Sequence, residues 1–202
     1  MVIRAYTSFK KALTHFDGAP LLLLRLYLAP IFIQAGWTKV IGFSDTVAWF
    51  GNQEWGLGLP FPAVLVTLTI AAELVGGVML LLGLFTRLVS IPLSITMLVA
   101  MITVHAKNGW LAIADTSSWF ADGTLFYDGS VMASADRLEM AKSILQEYGR
   151  YDWLTQSGNF VILNNGIEFA ATYFLMLLIL LFYGGGKYVS VDHLLARQKP
   201  VP

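Results

Sequence analysis

The sequence predicts an all-α integral membrane protein, built as a four-helix bundle with an extracytoplasmic loop that contains an amphipathic helix. Hydrophobic residues make up 56% of the 202 residues and charged residues only 13%, a balance that soluble domains do not have. Four stretches also approach the ~20 mostly apolar residues that a helix needs to cross a bilayer. Both observations place most of the chain in lipid.

The four predicted spans are residues 20–41, 62–85, 88–105 and 166–183. Pro20 and Pro62 lie in the first turns of the first and second spans, where a proline is tolerated because its missing N–H would have no partner there. The glycine run Gly184–Gly186 ends the fourth span. Residues 1–202 are therefore predicted to form a single membrane domain, with residues 106–165 as a loop insertion.

Basic residues gather on one side of these spans. They are Arg4, Lys10, Lys11, Arg87, Lys187, Arg197 and Lys199. The positive-inside rule makes that side cytoplasmic, together with both termini. The loop on the opposite side carries mostly acidic charges, and all six tryptophans lie on or near that side, as an interfacial aromatic belt requires.

Composition also excludes several functional classes. The formal net charge is zero, without a long run of either sign, so the chain has no electrostatic footprint for nucleic acid. Cysteine is absent, which removes disulfides and thiolate metal sites. In any thiol redox reaction a partner would have to supply the sulfur, and the first predicted partner is the lipid bilayer itself.

The outer loop is predicted to contain a helix from Ser134 to Tyr148, ended by Gly149. Its apolar stripe consists of Leu138, Ala141, Ile144, Leu145 and Tyr148. Two arrangements are compatible with this stripe: a lid over the outer mouth of the bundle, or a helix that rests on the lipid surface.

Two charged residues lie inside predicted spans, Arg25 in the first and Glu73 in the second. Each costs roughly 2.5–3.5 kcal/mol on membrane-insertion scales. An internal Arg25–Glu73 ion pair accounts for both, since a long guanidinium reaches a carboxylate at a neighbouring depth. The alternative is that Glu73 carries protons or binds a ligand.

A second polar group is predicted at the outer ends of three spans. Its members are Gln34, Trp37, Lys39, His105, Asn165 and Glu168. A cation, a carboxylate, an imidazole and amides beneath an aromatic rim suit the polar head of a quinone or a peptide carbonyl. His105 has a simpler interpretation as an imidazole at a helix end, bonded to water or backbone.

Met97, Met101 and His105 have the spacing i, i+4, i+8, which places two thioethers and an imidazole along one helix face. Soft thioether ligands with imidazole suit Cu(I). Methionine on a membrane helix more often fills space than binds metal, so packing is the competing interpretation of this stripe.

Several short motifs follow one another in a characteristic order. They are Arg25, Gly36-Trp37-Thr38-Lys39, Gly56–Pro60, Glu73–Gly77, Gly83–Arg87, His105, Asn165 with Glu168, Gly184–Lys187 and Ser190–Asp192. In this order and spacing the chain resembles the DoxX family of small bacterial membrane proteins. Its loop, with His105–Trp110 and Tyr151–Thr155, is similar to the HvfX-type branch, which accompanies the maturation of copper-binding modified peptides.

The resemblance implies a multi-pass protein of the bacterial inner membrane with redox partners, including a quinone-linked sulfur oxidoreductase and an assembly with superoxide dismutase and a sulfurtransferase. We therefore expect a membrane subunit that supports redox or metal-stress handling and binds a small hydrophobic or metal ligand under an outer lid. The alternatives are a quinone-linked oxidoreductase subunit and an accessory for copper or peptide maturation or transport.

Quinone and copper are accordingly the expected cofactors. A protein of a redox or peptide-maturation complex is the expected partner, and a homo-oligomer is compatible with the sequence. Whether the chain is itself a catalyst stays open, because family kinship does not confer a reaction.

The cation asymmetry generates a topology prediction. A reporter that is active only in the cytoplasm should be active when fused after Pro202 and inactive when fused between Asp115 and Asp128. Enzyme assays on cells that carry each fusion measure this directly. The reverse pattern of activity would contradict the assigned orientation.

Overall fold

The computed structural model describes residues 2–197 and is helical throughout its regular structure. Its only β-type pairings in those residues are two isolated bridges, Ile113 with Leu163 and Asp122 with Tyr127. The predicted all-α membrane fold class is confirmed. The predicted cytoplasmic end at Pro202 lies outside the described residues.

Ten α-helices follow one another within residues 2–197. They are α1 (Val2–Leu13), α2 (Ala19–Ile41), α3 (Phe43–Gly51), α4 (Pro62–Leu82), α5 (Thr86–Ala100), α6 (Gly129–Met132), α7 (Ser134–Tyr148), α8 (Tyr151–Leu154), α9 (Glu168–Tyr183) and α10 (Val191–Arg197). A π-helical turn at Met101–His105 and a 3-10 turn at Ala106–Asn108 continue α5 without a break.

Three helices within the described residues are long and apolar enough to cross a membrane: α2, α4 and the continuous helix Thr86–Asn108. The chain is therefore a membrane protein. The fourth predicted span corresponds to α9, which is apolar but has 16 residues, or about 24 Å at 1.5 Å per residue. A typical hydrocarbon core is ~30 Å thick, so the fourth crossing stays a prediction.

Contacts along the chain divide it into two compact units. The first runs to Val99 and resumes at Thr172, and the second is Ala100–Ala171. The single membrane domain that the sequence predicts stays a prediction.

Four helices share the apolar core of the first unit. Its buried residues are Leu28, Ala29 and Phe32 of α2, Leu80 of α4, Val89 and Leu93 of α5, and Leu177 and Leu180 of α9. Small residues bring these helices together. A Cβ at Gly36 would lie 2.8 Å from Cγ of Leu74, and one at Gly77 would lie 2.8 Å from Cγ1 of Ile33. Such close approach is the usual means of helix association in lipid.

In the second unit, α7 has the bounds that its apolar periodicity predicts, Ser134–Tyr148. Along its stripe, Leu138 and Leu145 are half-buried, whereas Ala141, Ile144 and Tyr148 are exposed. The buried residues Leu111, Ala121 and Val131 form a separate small core in this unit. The helix is confirmed, and its role as a lid stays a prediction.

Arg25 is fully buried in the first unit, and its guanidinium donates to five backbone carbonyl oxygens that we call the carbonyl cage. The cage consists of the carbonyls of Leu80, Leu81, Gly185, Tyr188 and Val189, at 2.8–3.3 Å. An arginine has five N–H donors, so the cage uses its whole donor capacity. The buried cation is thus held by carbonyl dipoles.

The cage carbonyls come from two segments, the end of α4 and the segment after α9, and each segment is placed there for a physical reason. Leu80 and Leu81 lie in the last turn of α4, where carbonyls lack intrahelical partners. The other three carbonyls belong to the segment after α9, which is fixed to the α4–α5 turn by Asp192. The Asp192 carboxylate accepts from the backbone N–H groups of Phe85 and Thr86, at 2.7 and 2.8 Å, at the start of α5. Arg25 therefore joins three separate segments of the chain.

The cage predicts that Gly83→Ala destabilises the protein more than Gly58→Ala. Both glycines have a left-handed φ, +64° and +62°, so both variants carry about 1–2 kcal/mol of backbone strain. At position 83 the new Cβ would also lie 2.6 Å from Cζ of Arg25, whereas at position 58 the nearest atom is 3.6 Å away. Thermal unfolding in detergent, followed by circular dichroism, compares them. Equal losses of stability would contradict the cage.

Candidate functional site

Lys39 and Glu73 form an ion pair between α2 and α4. The ammonium Nζ of Lys39 donates to both carboxylate oxygens of Glu73, at 2.9 Å and 2.7 Å. It also lies 3.4 Å from the carbonyl oxygen of Ala35, one turn earlier in α2. We call Lys39 and Glu73 the membrane pair, since both helices are long enough to cross a bilayer.

The predicted Arg25–Glu73 ion pair is wrong. Arg25 donates to the carbonyl cage and Glu73 accepts from Lys39. The reason is the direction of side chains on antiparallel helices, since each Cα–Cβ bond tilts toward its own helix N-terminus. Arg25 therefore points toward the start of α2, while Lys39 and Glu73 point toward each other. Glu73 also lies beside Gly36, where a Cβ would be 3.1 Å from Cβ of Glu73, and Gly36 is roughly 16 Å from Arg25 along the axis of α2.

Arg25 and Lys39 nevertheless share one face of α2. They are 14 residues apart, which is close to four helical turns and roughly 21 Å along the axis. Gly36 lies on the same face, where a Cβ would be 3.1 Å from Cβ of Glu73. The face of α2 that contacts α4 thus carries a cation toward each end, one held by carbonyls and the other by a carboxylate.

The two members of the membrane pair differ in their access to the surroundings. The side chain of Glu73 is 4% exposed and that of Lys39 is 25% exposed. A small molecule would therefore meet the ammonium first, with the carboxylate behind it. The arrangement can offer a hydrogen-bond donor to an incoming oxygen atom and a nearby carboxylate to exchange a proton.

Two other residues of the predicted outer site lie on a different face of α2. Gln34 is exposed, and Trp37 is 58% exposed. Neither side chain takes part in the hydrogen bonds of the membrane pair. An exposed indole near the end of a membrane helix fits the interfacial belt that the sequence predicts.

The remaining three predicted site residues lie in the second unit, where His105 bonds to Asn165 and both Asn165 and Glu168 bond to the backbone of Ala112. His105 Nδ1 donates to the carbonyl oxygen of Asn165 at 2.9 Å. Glu168 accepts from the backbone N–H of Ala112 at 2.9 Å, and the backbone N–H of Asn165 donates to the carbonyl oxygen of Ala112 at 2.8 Å. These bonds fix the loop at the start of α9. A shared ligand site for these three residues with Gln34, Trp37 and Lys39 stays a prediction.

The copper prediction rests on a spacing that the helix does not keep. Met97 lies in α5, but Met101 and His105 belong to the π-helical turn, whose wider turn changes the 3.6-residue period. Met97 packs against the apolar core of the first unit. Within residues 2–197 no group of three His, Asp or Glu side chains is placed to hold a metal ion. Copper binding by Met97, Met101 and His105 stays a prediction.

The sequence model of the DoxX family matches residues 20–106 of this chain, which contain α2 to α5 with the cage arginine and the membrane pair. Residues 20–106 form a DoxX domain. The HvfX-type branch suggested by the loop is not part of this match.

Two curated proteins are similar to part of this chain. The chain is 37% identical over 95 residues to "Putative oxidoreductase CatD" of Bacillus subtilis (strain 168), an alignment that covers 46% of this chain and 66% of the relative. It is 36% identical over 80 residues to "Inner membrane protein YphA" of Escherichia coli (strain K12), covering 37% and 54%. The chain spans less than two thirds of the length of either relative. No solved structure matches significantly.

The membrane pair predicts that substitutions at positions 39 and 73 have strongly coupled effects on stability. Lys39→Met alone leaves a buried carboxylate without its cation and should lower the free energy of unfolding by about 3–5 kcal/mol. Adding Glu73→Leu should restore most of that loss, because neither charge then remains. Unfolding of the single and double variants in mixed micelles gives the coupling energy.

Thr38→Val is the matched control for this cycle, since Thr38 is an exposed neighbour that bonds to its own helix at Gln34 O. Its stability should stay close to that of the unaltered chain. If the losses from Lys39→Met and Glu73→Leu simply add, the pair contributes no coupling and its assignment fails.

Proposed function

We propose that this DoxX chain is a bacterial inner-membrane subunit of a redox system, which binds the polar head of a small apolar molecule at the membrane pair. Two features support this. One relative is named a putative oxidoreductase and another an inner membrane protein. The chain itself places an ion pair where apolar helices would otherwise need no charge.

The membrane pair is the main observation in favour of this proposal. Ionisable groups inside membrane spans are retained mainly for function, because each is expensive to insert. Arg25 has a structural explanation in the carbonyl cage, but Lys39 and Glu73 join only two helices that already pack through Gly36 and Gly77. Lys39 is also one quarter exposed, so its ammonium is within reach of a ligand that enters from the lipid.

A quinone is the ligand class that fits this chemistry best. Its carbonyl oxygen accepts a hydrogen bond from Lys39, and its apolar tail remains in the lipid. Reduction of a bound quinone to a quinol would take two electrons from a partner protein and two protons from the solvent, and the Glu73 carboxylate would accept a proton and pass it to the head group. The chain has no cysteine, so a partner protein must exchange the electrons if thiols are involved.

The proposed topology has four crossings, with α9 as the fourth, and both ends in the cytoplasm. The distribution of cations supports this orientation, since Arg87 lies in the first turn of α5 and Lys187 follows α9. The second unit would then face the outside, where it would offer a surface to the partner protein.

The proposal predicts that quinone is retained by the purified protein and lost from variants of the pair. The full chain is purified from its native membrane in mild detergent, and bound quinone is extracted and quantified by mass spectrometry. Lys39→Gln and Glu73→Gln should each lower the retained quinone about tenfold or more, the loss expected when one charge-assisted hydrogen bond is removed.

Thr67→Val is the control, since Thr67 is an exposed residue of α4 that bonds to its own helix at Ala63 O. It should retain quinone like the unaltered chain. Partner proteins and metals are measured in the same samples. Absence of quinone from the unaltered chain, also after incubation with a short-chain quinone, would contradict the proposed ligand, and stoichiometric copper in its place would favour the metal hypothesis.

A further inference from the structure

Helix α1 is amphipathic. At 100° per residue, the apolar residues Ala5, Tyr6, Phe9, Ala12 and Leu13 fall within an arc of about 120°. Arg4, Thr7, Ser8 and Lys11 fall within an arc of about 100° on the other side. The helix contains three cations, Arg4, Lys10 and Lys11, and no acidic residue.

The apolar face of α1 is not covered by the described chain. Every side chain from Ile3 to Phe16 is exposed, including Tyr6 at 62% and Phe9 at 59% on the apolar face. Large apolar side chains along one stripe need a cover in water. The apolar face of α1 therefore needs a partner surface outside the described chain.

The end of α1 is fixed at the base of the first membrane helix. Lys187 forms an ion pair with Asp17 at 2.6 Å and donates to the carbonyl oxygen of Thr14 at 3.3 Å, while the hydroxyl of Tyr188 donates to the carbonyl oxygen of His15. The hydrogen bond from Lys187 holds the pKa of the Asp17 carboxyl below its ordinary value. Membrane helix α2 begins at Ala19, so α1 ends six residues from it.

We propose that α1 lies on the membrane surface, with its apolar stripe in the lipid and its cations on anionic headgroups of the leaflet at which α2 begins. Charge complementarity favours this cover, because three cations without a neighbouring acid match an anionic lipid surface. Continuity favours it too, since the tether to α2 keeps the helix within reach of that surface. The inference does not depend on the proposed quinone site, because α1 shares no residue with it.

Single-cysteine spin labels test the docking, and the chain offers a background without cysteine. Phe9→Cys places a nitroxide in the apolar stripe, and Thr7→Cys places one about 160° away on the polar face. The full chain is incorporated as one copy per nanodisc, in phosphatidylcholine alone or mixed with phosphatidylglycerol. Power-saturation EPR then compares collisions with oxygen, which concentrates in lipid, and with a water-soluble nickel complex.

With phosphatidylglycerol, the label at position 9 should collide mainly with oxygen and the label at position 7 mainly with nickel. Replacing Arg4, Lys10 and Lys11 by glutamine should weaken docking about fivefold per cation, the effect expected of each charge near an anionic surface. Thermal unfolding of the glutamine variant tests whether the remainder of the fold is retained. In phosphatidylcholine alone, the contrast between the two labels should be smaller.

Two results would overturn the proposal. Equal nickel accessibility at positions 7 and 9 in the anionic membrane would mean that α1 does not lie on lipid, and that a protein partner is the cover to seek. A contrast that does not change with lipid charge or with the glutamine variant would refute the role of anionic headgroups.

Discussion

Charge within an apolar helix bundle is the constraint on which the structure depends. Inside a membrane, no water is present to solvate a cation or to satisfy a free carbonyl. Arg25 and Lys39 lie on one face of α2, and each is neutralised by a different means. Arg25 takes five carbonyl oxygens, whereas Lys39 takes the carboxylate of Glu73. The first solution joins three segments of the fold, and the second leaves an ion pair whose ammonium is one quarter exposed.

The carbonyl cage extends the structural unit beyond the segment that matches the DoxX family. That match ends at residue 106, yet three cage carbonyls come from Gly185, Tyr188 and Val189. The segment after α9 also holds the start of α2 through Lys187. Removing this segment would leave a buried guanidinium with unused donors, so the first unit depends on both ends of the chain.

The membrane pair and α1 differ in where they place their charged groups. The pair is built inside the bundle, where a charged contact is strong because screening is weak. Helix α1 is exposed beside the first span and presents cations on one face and apolar side chains on the other. The chain thus combines a charged contact between two long helices with an amphipathic helix outside them.

The sequence by itself determined the membrane class, the positions of α2, α4 and the continuation of α5, and the bounds of α7, because hydrophobic content and periodicity are local properties. It also contains the amphipathic pattern of α1. It identified Arg25 and Glu73 as costly charges and Lys39 as a site residue, but it did not pair them correctly. Only the tertiary structure decided the partners, since side-chain direction on antiparallel helices and the return of residues 185–189 to α4 bring together groups that lie far apart in the chain.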